Sequence, residues 1–178
     1  MNPDERDYGT AEELTDGWWQ LRFERTYPYP VEKVWRAVTE PEHLAAWFPT
    51  TIDGPREAGH ALRFTFPEDE APPFDGEVLA YQPRSVFEFR WGPDRIRFEV
   101  AGSGAFTNLT LLHTFDERGK AARDAAGWHV CLDALGAALD GSDSPRERMS
   151  GWADVHPGYV ERFGPEASTV GPPKPAGG

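Results

Sequence analysis

A single cysteine, Cys131, in 178 residues excludes an intrachain disulfide. Stability must then come from a buried core, and a chain of this length can bury about 70% of its unfolded surface without staples. The same shortage suits a reducing compartment, so a cytoplasmic location is expected. No apolar run approaches the roughly 20 residues of a membrane helix, and the opening residues are acidic and polar where a secretory signal would be apolar. Membrane insertion is therefore not expected. Basic charge is scarce: 18 Lys and Arg stand against 30 Asp and Glu, a formal net charge of −12. No basic stripe exists for a nucleic acid to use, and an anionic bilayer would repel the chain. No P-loop, G-x-S-x-G elbow or dinucleotide fingerprint occurs, and no two histidines have zinc-site spacing. The sequence therefore names no cofactor, no metal and no catalytic residue.

What is present is aromatic and periodic. Seven Trp, eleven Phe and five Tyr are many for so acidic a domain, and most fall on repeating apolar faces. Residues 1–17 carry no periodicity and read as a flexible acidic lead. From Trp18, Leu21, Phe23 and Tyr27 alternate with polar neighbours, as in a half-buried strand. Pro30 opens a helix whose Val31, Val34, Trp35 and Val38 share one face. Thr39-Glu40-Pro41-Glu42 reads as a capping box for a second, short helix carrying Leu44, Trp47 and Phe48. Six further strands follow, punctuated by Asp53-Gly54-Pro55, Pro67–Pro73, Gln82–Ser85, Gly92-Pro93-Asp94 and Gly102-Ser103-Gly104. Arg63, Glu88, Arg90, Arg95, Arg97 and Glu99 mark the solvated face. Residues 120–140 then switch to helical period, with Trp128, Cys131, Leu132, Leu135 and Leu139 on one stripe. Gly127 and Gly136 are read as points of close approach to the sheet. Ser144-Pro145-Arg146-Glu147 suggests a second capping box, and residues 165–178 read as a disordered tail.

The stretch from Tyr29 through Pro30, Val34, Trp35, Pro41 and Leu44 to Trp47-Phe48 resembles the opening signature of the SRPBCC (START-like) superfamily. It is most similar to the branch named for the activator of heat-shock-protein-90 ATPase. Thr107–His113 and Gly127-Trp128 with Leu132 and Leu135 resemble later blocks of that branch, so the likeness spans roughly residues 18–141. It implies an α+β helix-grip fold. About seven antiparallel strands wrap a long C-terminal helix, and two short helices follow strand 1; beyond the likeness, the second capping box and the apolar spacing after it read as a helical extension over residues 142–164. The likeness also implies an apolar cavity between sheet and helix.

On that frame, Phe64, Phe89, Trp91 and Phe98 from the sheet and Trp128, Leu132 and Leu135 from the helix are expected cavity walls. The plainer reading is core packing. His113 falls in register with Leu109 and Leu111; it either meets a ligand or is a satisfied core-edge histidine. His129 is expected at the surface, and Cys131 as a small buried apolar group. Trp35, Trp47 and Phe48 are read as anchors of the helices, and Glu68-Asp69-Glu70 as a solvated run. The functional expectation is a module that binds a small hydrophobic or aromatic molecule. The alternatives are a cyclase or hydrolase with His113 as acid/base, which needs a second polar residue beside it, and a protein-binding co-chaperone. Weak homodimerisation is allowed by the sequence but not demanded.

Overall fold

The period-two segments assemble into one antiparallel sheet. The structure is a computed structural model and describes residues 5–171. Its strands are β1 (Thr10–Glu13), β2 (Trp19–Tyr27), β3 (Thr51–Asp53), β4 (Ala61–Thr65), β5 (Phe74–Gln82), β6 (Val86–Trp91), β7 (Asp94–Ser103) and β8 (Phe106–Phe115). Their spatial order is β1-β2-β8-β7-β6-β5-β4-β3. Tight turns set the registers: Trp91 pairs with Asp94 across Gly92-Pro93, where Gly92 has φ 58°. Most inward positions of the long strands are apolar, as in Leu109, Leu111 and Phe115 of β8 and Ile96 and Phe98 of β7. The outer face carries the expected charges, with Arg97 between Glu88 and Glu99.

Among the described residues four α-helices complete the fold: α1 (Val31–Thr39), α2 (Pro41–Leu44), α3 (Ala121–Leu139) and α4 (Trp152–Phe163). The long helix α3 lies in the sheet's concave face, the helix-grip arrangement expected. The α1–α2 corner is pinned by the Trp47 indole, which donates to the Ala37 carbonyl at 2.8 Å. Arg146 donates to the carbonyls of Ala45 and Phe48, tying the C-terminal extension to the same corner.

Several local expectations change. The sheet has eight strands, because residues read as an unstructured lead supply β1 and a preceding helical turn (Glu5–Asp7). Neither capping box forms: the Thr39 hydroxyl donates back to Trp35 O, and Ser144 makes no side-chain cap bond. The helix α3 is buried on both sides, because a 3-10 segment (Pro145–Gly151) and α4 cover the flank turned away from the sheet. That covering buries His129, expected at the surface, to 1% exposure. The α4 helix runs through Pro157, which has no N–H to donate within it. Residues 165–167 form one more turn, and Val170 N–H donates to Gly119 O. The rest of the expected tail, residues 172–178, lies outside the described residues, as do residues 1–4.

Candidate functional site

Phe48 explains where space is left between sheet and helix. Fully buried, its ring meets Phe89, Trp91, Phe98 and Trp128 at centroid distances of 6.1, 5.2, 6.2 and 5.6 Å. With Trp47 it fills the middle of the grip. Phe64, Phe89, Phe98, Leu132 and Leu135, expected as cavity walls, are accordingly packed in the core at 0–1% exposure. Trp91, His113 and Trp128 do reach a cavity, displaced to one end of α3.

That cavity has a volume of about 800 Å³. The tip of the β6–β7 hairpin forms one wall with Trp91, Gly92 and Pro93, and Phe66 and Phe74 flank it from the ends of the β4–β5 loop. The first three turns of α3 form the opposite wall, with Gly127, Trp128 and Cys131; Met149 and Trp152 close the outer side. Gly127 makes room here. A Cβ placed on it would meet nothing within 4 Å, so it opens the cavity where close approach to the sheet was expected. Gly136 sits nearer a neighbour: a Cβ placed on it would lie 3.6 Å from the Tyr27 ring. Burial pushes the Cys131 thiol up to about 12, so it is no nucleophile in this setting.

At one end the apolar wall gives way to a buried polar chain. Trp128 Nε1–H donates to His113 Nδ1 at 2.9 Å. An indole N–H can only donate, so Nδ1 is the accepting nitrogen and Nε2 carries the proton. Nε2–H then donates to Asp94 Oδ2 at 2.8 Å, and Lys120 Nζ donates to the same oxygen at 2.6 Å. Asp94, His113 and Lys120 are 4%, 2% and 9% exposed. Burial works to raise the Asp94 pKa. The hydrogen bonds from His113 and Lys120, with the Lys120 charge, outweigh it and hold the carboxyl below its ordinary value. Beside this chain Arg123 Nε pairs with Asp124 Oδ1 at 2.9 Å.

Asp94 and Lys120 were missed in the sequence. Asp94 was read as a turn residue, yet it continues the inward alternation Phe98, Ile96 and then itself. Lys120 ends a 3-10 turn (Arg118–Lys120) immediately before α3. Asp94, His113 and Asp124 each bring one potential metal-ligand atom to within 4.8 Å of the others. The donor set fits a metal poorly. Both His113 nitrogens are engaged, and the Lys120 ammonium already supplies the cation.

A second buried network holds the N-terminal strap. Gly9 N–H donates to the Tyr159 hydroxyl at 2.9 Å, and that hydroxyl lies 2.8 Å from His129 Nδ1. Burial lowers the His129 pKa against the pull of Asp133, so the ring stays neutral and accepts the Tyr159 O–H. Tyr8 packs against both rings, and Arg25 ties Asp133 to the Asp7 carbonyl.

Comparison with known proteins agrees with this architecture. The family model described as activator of Hsp90 ATPase homolog 1-like protein matches residues 28–140. No curated protein sequence matches the chain. A conserved protein of unknown function from Enterococcus faecalis superposes with a TM-score of 0.72 at 19% identity, covering 87% of this chain and 90% of its own. CalU16 from Micromonospora echinospora superposes at 0.63 with 22% identity, covering 83% and 96%. The Aha1 dimer from Colwellia psychrerythraea superposes at 0.58 with 19% identity, covering 70% and 98%. At these identities the structural likeness establishes the fold alone.

Proposed function

The chain belongs to the activator of Hsp90 ATPase homolog 1-like protein family, and from the cavity at the end of its gripped helix we propose that it binds a small apolar, ring-bearing molecule. One observation carries this reading: a cavity of about 800 Å³, opened by a glycine and walled by Trp91, Trp128 and Trp152. Ligand pockets commonly span roughly 300–1,000 Å³ and combine apolar walls with a few convergent polar groups.

The polar chain favours binding over acid–base catalysis. A general base needs a free nitrogen or a carboxylate poised near neutral pH. His113 has neither nitrogen free, and Asp94 is held as a stable carboxylate. The second polar residue that an enzyme would need is thus present but consumes His113 instead of activating it. A co-chaperone surface would call for a contiguous exposed apolar patch. Among the described residues the exposed large apolar side chains are Leu14 and Phe106, which lie toward opposite ends of β8. We place this binding role in the cytoplasm, where a lone buried thiol stays reduced. We extend it to weak self-association, in keeping with the relative solved as a dimer and measurable by sedimentation equilibrium.

The test is to titrate the neutral fluorophore N-phenyl-1-naphthylamine into the protein and into Gly127→Leu. The wild type is expected to give saturable enhancement in the micromolar range, and Gly127→Leu, whose side chain enters the cavity, to lose at least tenfold in affinity. Equal binding by the two proteins would refute the reading.

A further inference from the structure

The polar groups at the end of the cavity are unequally used. His113 has both nitrogens engaged. Asp94 has one oxygen, Oδ2, receiving two donors, while Oδ1 is buried with no hydrogen-bond partner. A buried acceptor left unmade costs on the order of 1–3 kcal/mol, and more when charged. Folded proteins seldom keep such an atom unless something else supplies its donor. Lys120 carries three N–H groups and spends one on Asp94 Oδ2, so donors are left over beside the lone acceptor.

Charge narrows the chemistry. Asp94 with Lys120 sums to zero, and so does Arg123 with Asp124. A ligand with net charge would meet no complementary excess and would lose its hydration among Trp91, Trp128 and Phe74. The walls favour a flat ring system.

Resting on the binding role proposed above, we infer that the ligand is an uncharged planar ring molecule with a hydrogen-bond donor and an acceptor side by side on one edge, as in the cis-amide of a lactam. Its N–H or O–H meets Asp94 Oδ1 and its carbonyl accepts from Lys120. Asp94 Oδ1 is screened from solvent in the structure, so this contact requires the side chains around it to shift as the ligand seats.

Four bicyclic probes of similar size test this by calorimetric titration: naphthalene, quinoline (acceptor only), indole (donor only) and 2-quinolinone (both). In the wild type, 2-quinolinone is expected to bind at least tenfold more tightly than any other. Asp94→Asn keeps the shape and presents its carbonyl to His113 and Lys120, which puts an N–H₂ donor where Oδ1 stood. Quinoline should then overtake indole, and the 2-quinolinone advantage should disappear. Lys120→Met should weaken 2-quinolinone and quinoline and leave indole unchanged. Circular dichroism checks that each variant is folded, and the wild-type ranking stands as a test even if one is not. If all four probes bind the wild type within threefold, and Gly127→Leu blocks them, the cavity role survives and this inference fails. If none binds, both fall.

Discussion

Because an indole N–H can only donate, Trp128 dictates the tautomer of His113, and through it the partner of Asp94. The three groups and Lys120 therefore act as a unit, and their substitutions should be strongly non-additive. Asp94→Ala leaves the Lys120 ammonium buried without its counter-charge, which costs about 3–5 kcal/mol. Adding Lys120→Met to Asp94→Ala removes the stranded charge. In urea unfolding the double variant is expected to regain most of that loss, and a double variant no more stable than Asp94→Ala would contradict the pairing. Acid stability belongs to the same scale. His129 is neutral in the fold and its pKa is lowered by burial, so the unfolded chain takes up the proton first as pH falls through 6.5. Stability should begin to drop there. A second loss should follow below the ordinary Asp value of 3.8, as Asp94, held ionised by its partners, is finally protonated. Unfolding midpoints at pH 7.5 and 5.5 should differ clearly in the wild type and less in His129→Gln.

At the scale of elements, two glycines make opposite forecasts. Gly127 lies in α3 with open space where its Cβ would be. Gly127→Ala should raise stability by up to about 1 kcal/mol through helix propensity alone. Gly9 lies in the strap before β1, and a Cβ there would come within 2.5 Å of the Phe23 ring. Gly9→Ala should cost about 1–3 kcal/mol by overpacking, and thermal melts of the two variants should move in opposite directions. Legibility followed the same divide. Alternation and helical stripes located β2, β4–β8, α1 and α3, because burial on one face writes a period into the chain. The strand β1, Thr-Ala-Glu-Glu, has no apolar face to write; it is held by pairing to β2 and by a bond from Gly9 to Tyr159 across 150 residues. His129 was misplaced for a related reason. A helix covered on both flanks does not keep a polar side, and the covering element lay far ahead in sequence.

The whole molecule is a grip whose centre is filled and whose end is open. The sequence put Phe64, Phe89, Trp91, Phe98, His113, Trp128, Leu132 and Leu135 alike on the face of a cavity and could not distinguish cavity wall from core among them; Trp91, His113 and Trp128 line the cavity in the structure. All of these share the inward face, and the choice depends on how far the rings of Trp47 and Phe48 reach. The polar end was half legible: His113 stood out on its strand, whereas Asp94 and Lys120 converge on it only through the hairpin register and the turn before α3. The seven tryptophans provide a spatially resolved test of the central claim, that the cavity takes an apolar ring molecule. In a ¹H–¹⁵N spectrum of the labelled protein titrated with N-phenyl-1-naphthylamine, the indole signals of Trp91, Trp128 and Trp152 should shift together and saturate. Those of Trp18, Trp19, Trp35 and Trp47 should stay in place. Shifts confined to the second group, or no saturable shift at all, would contradict the account.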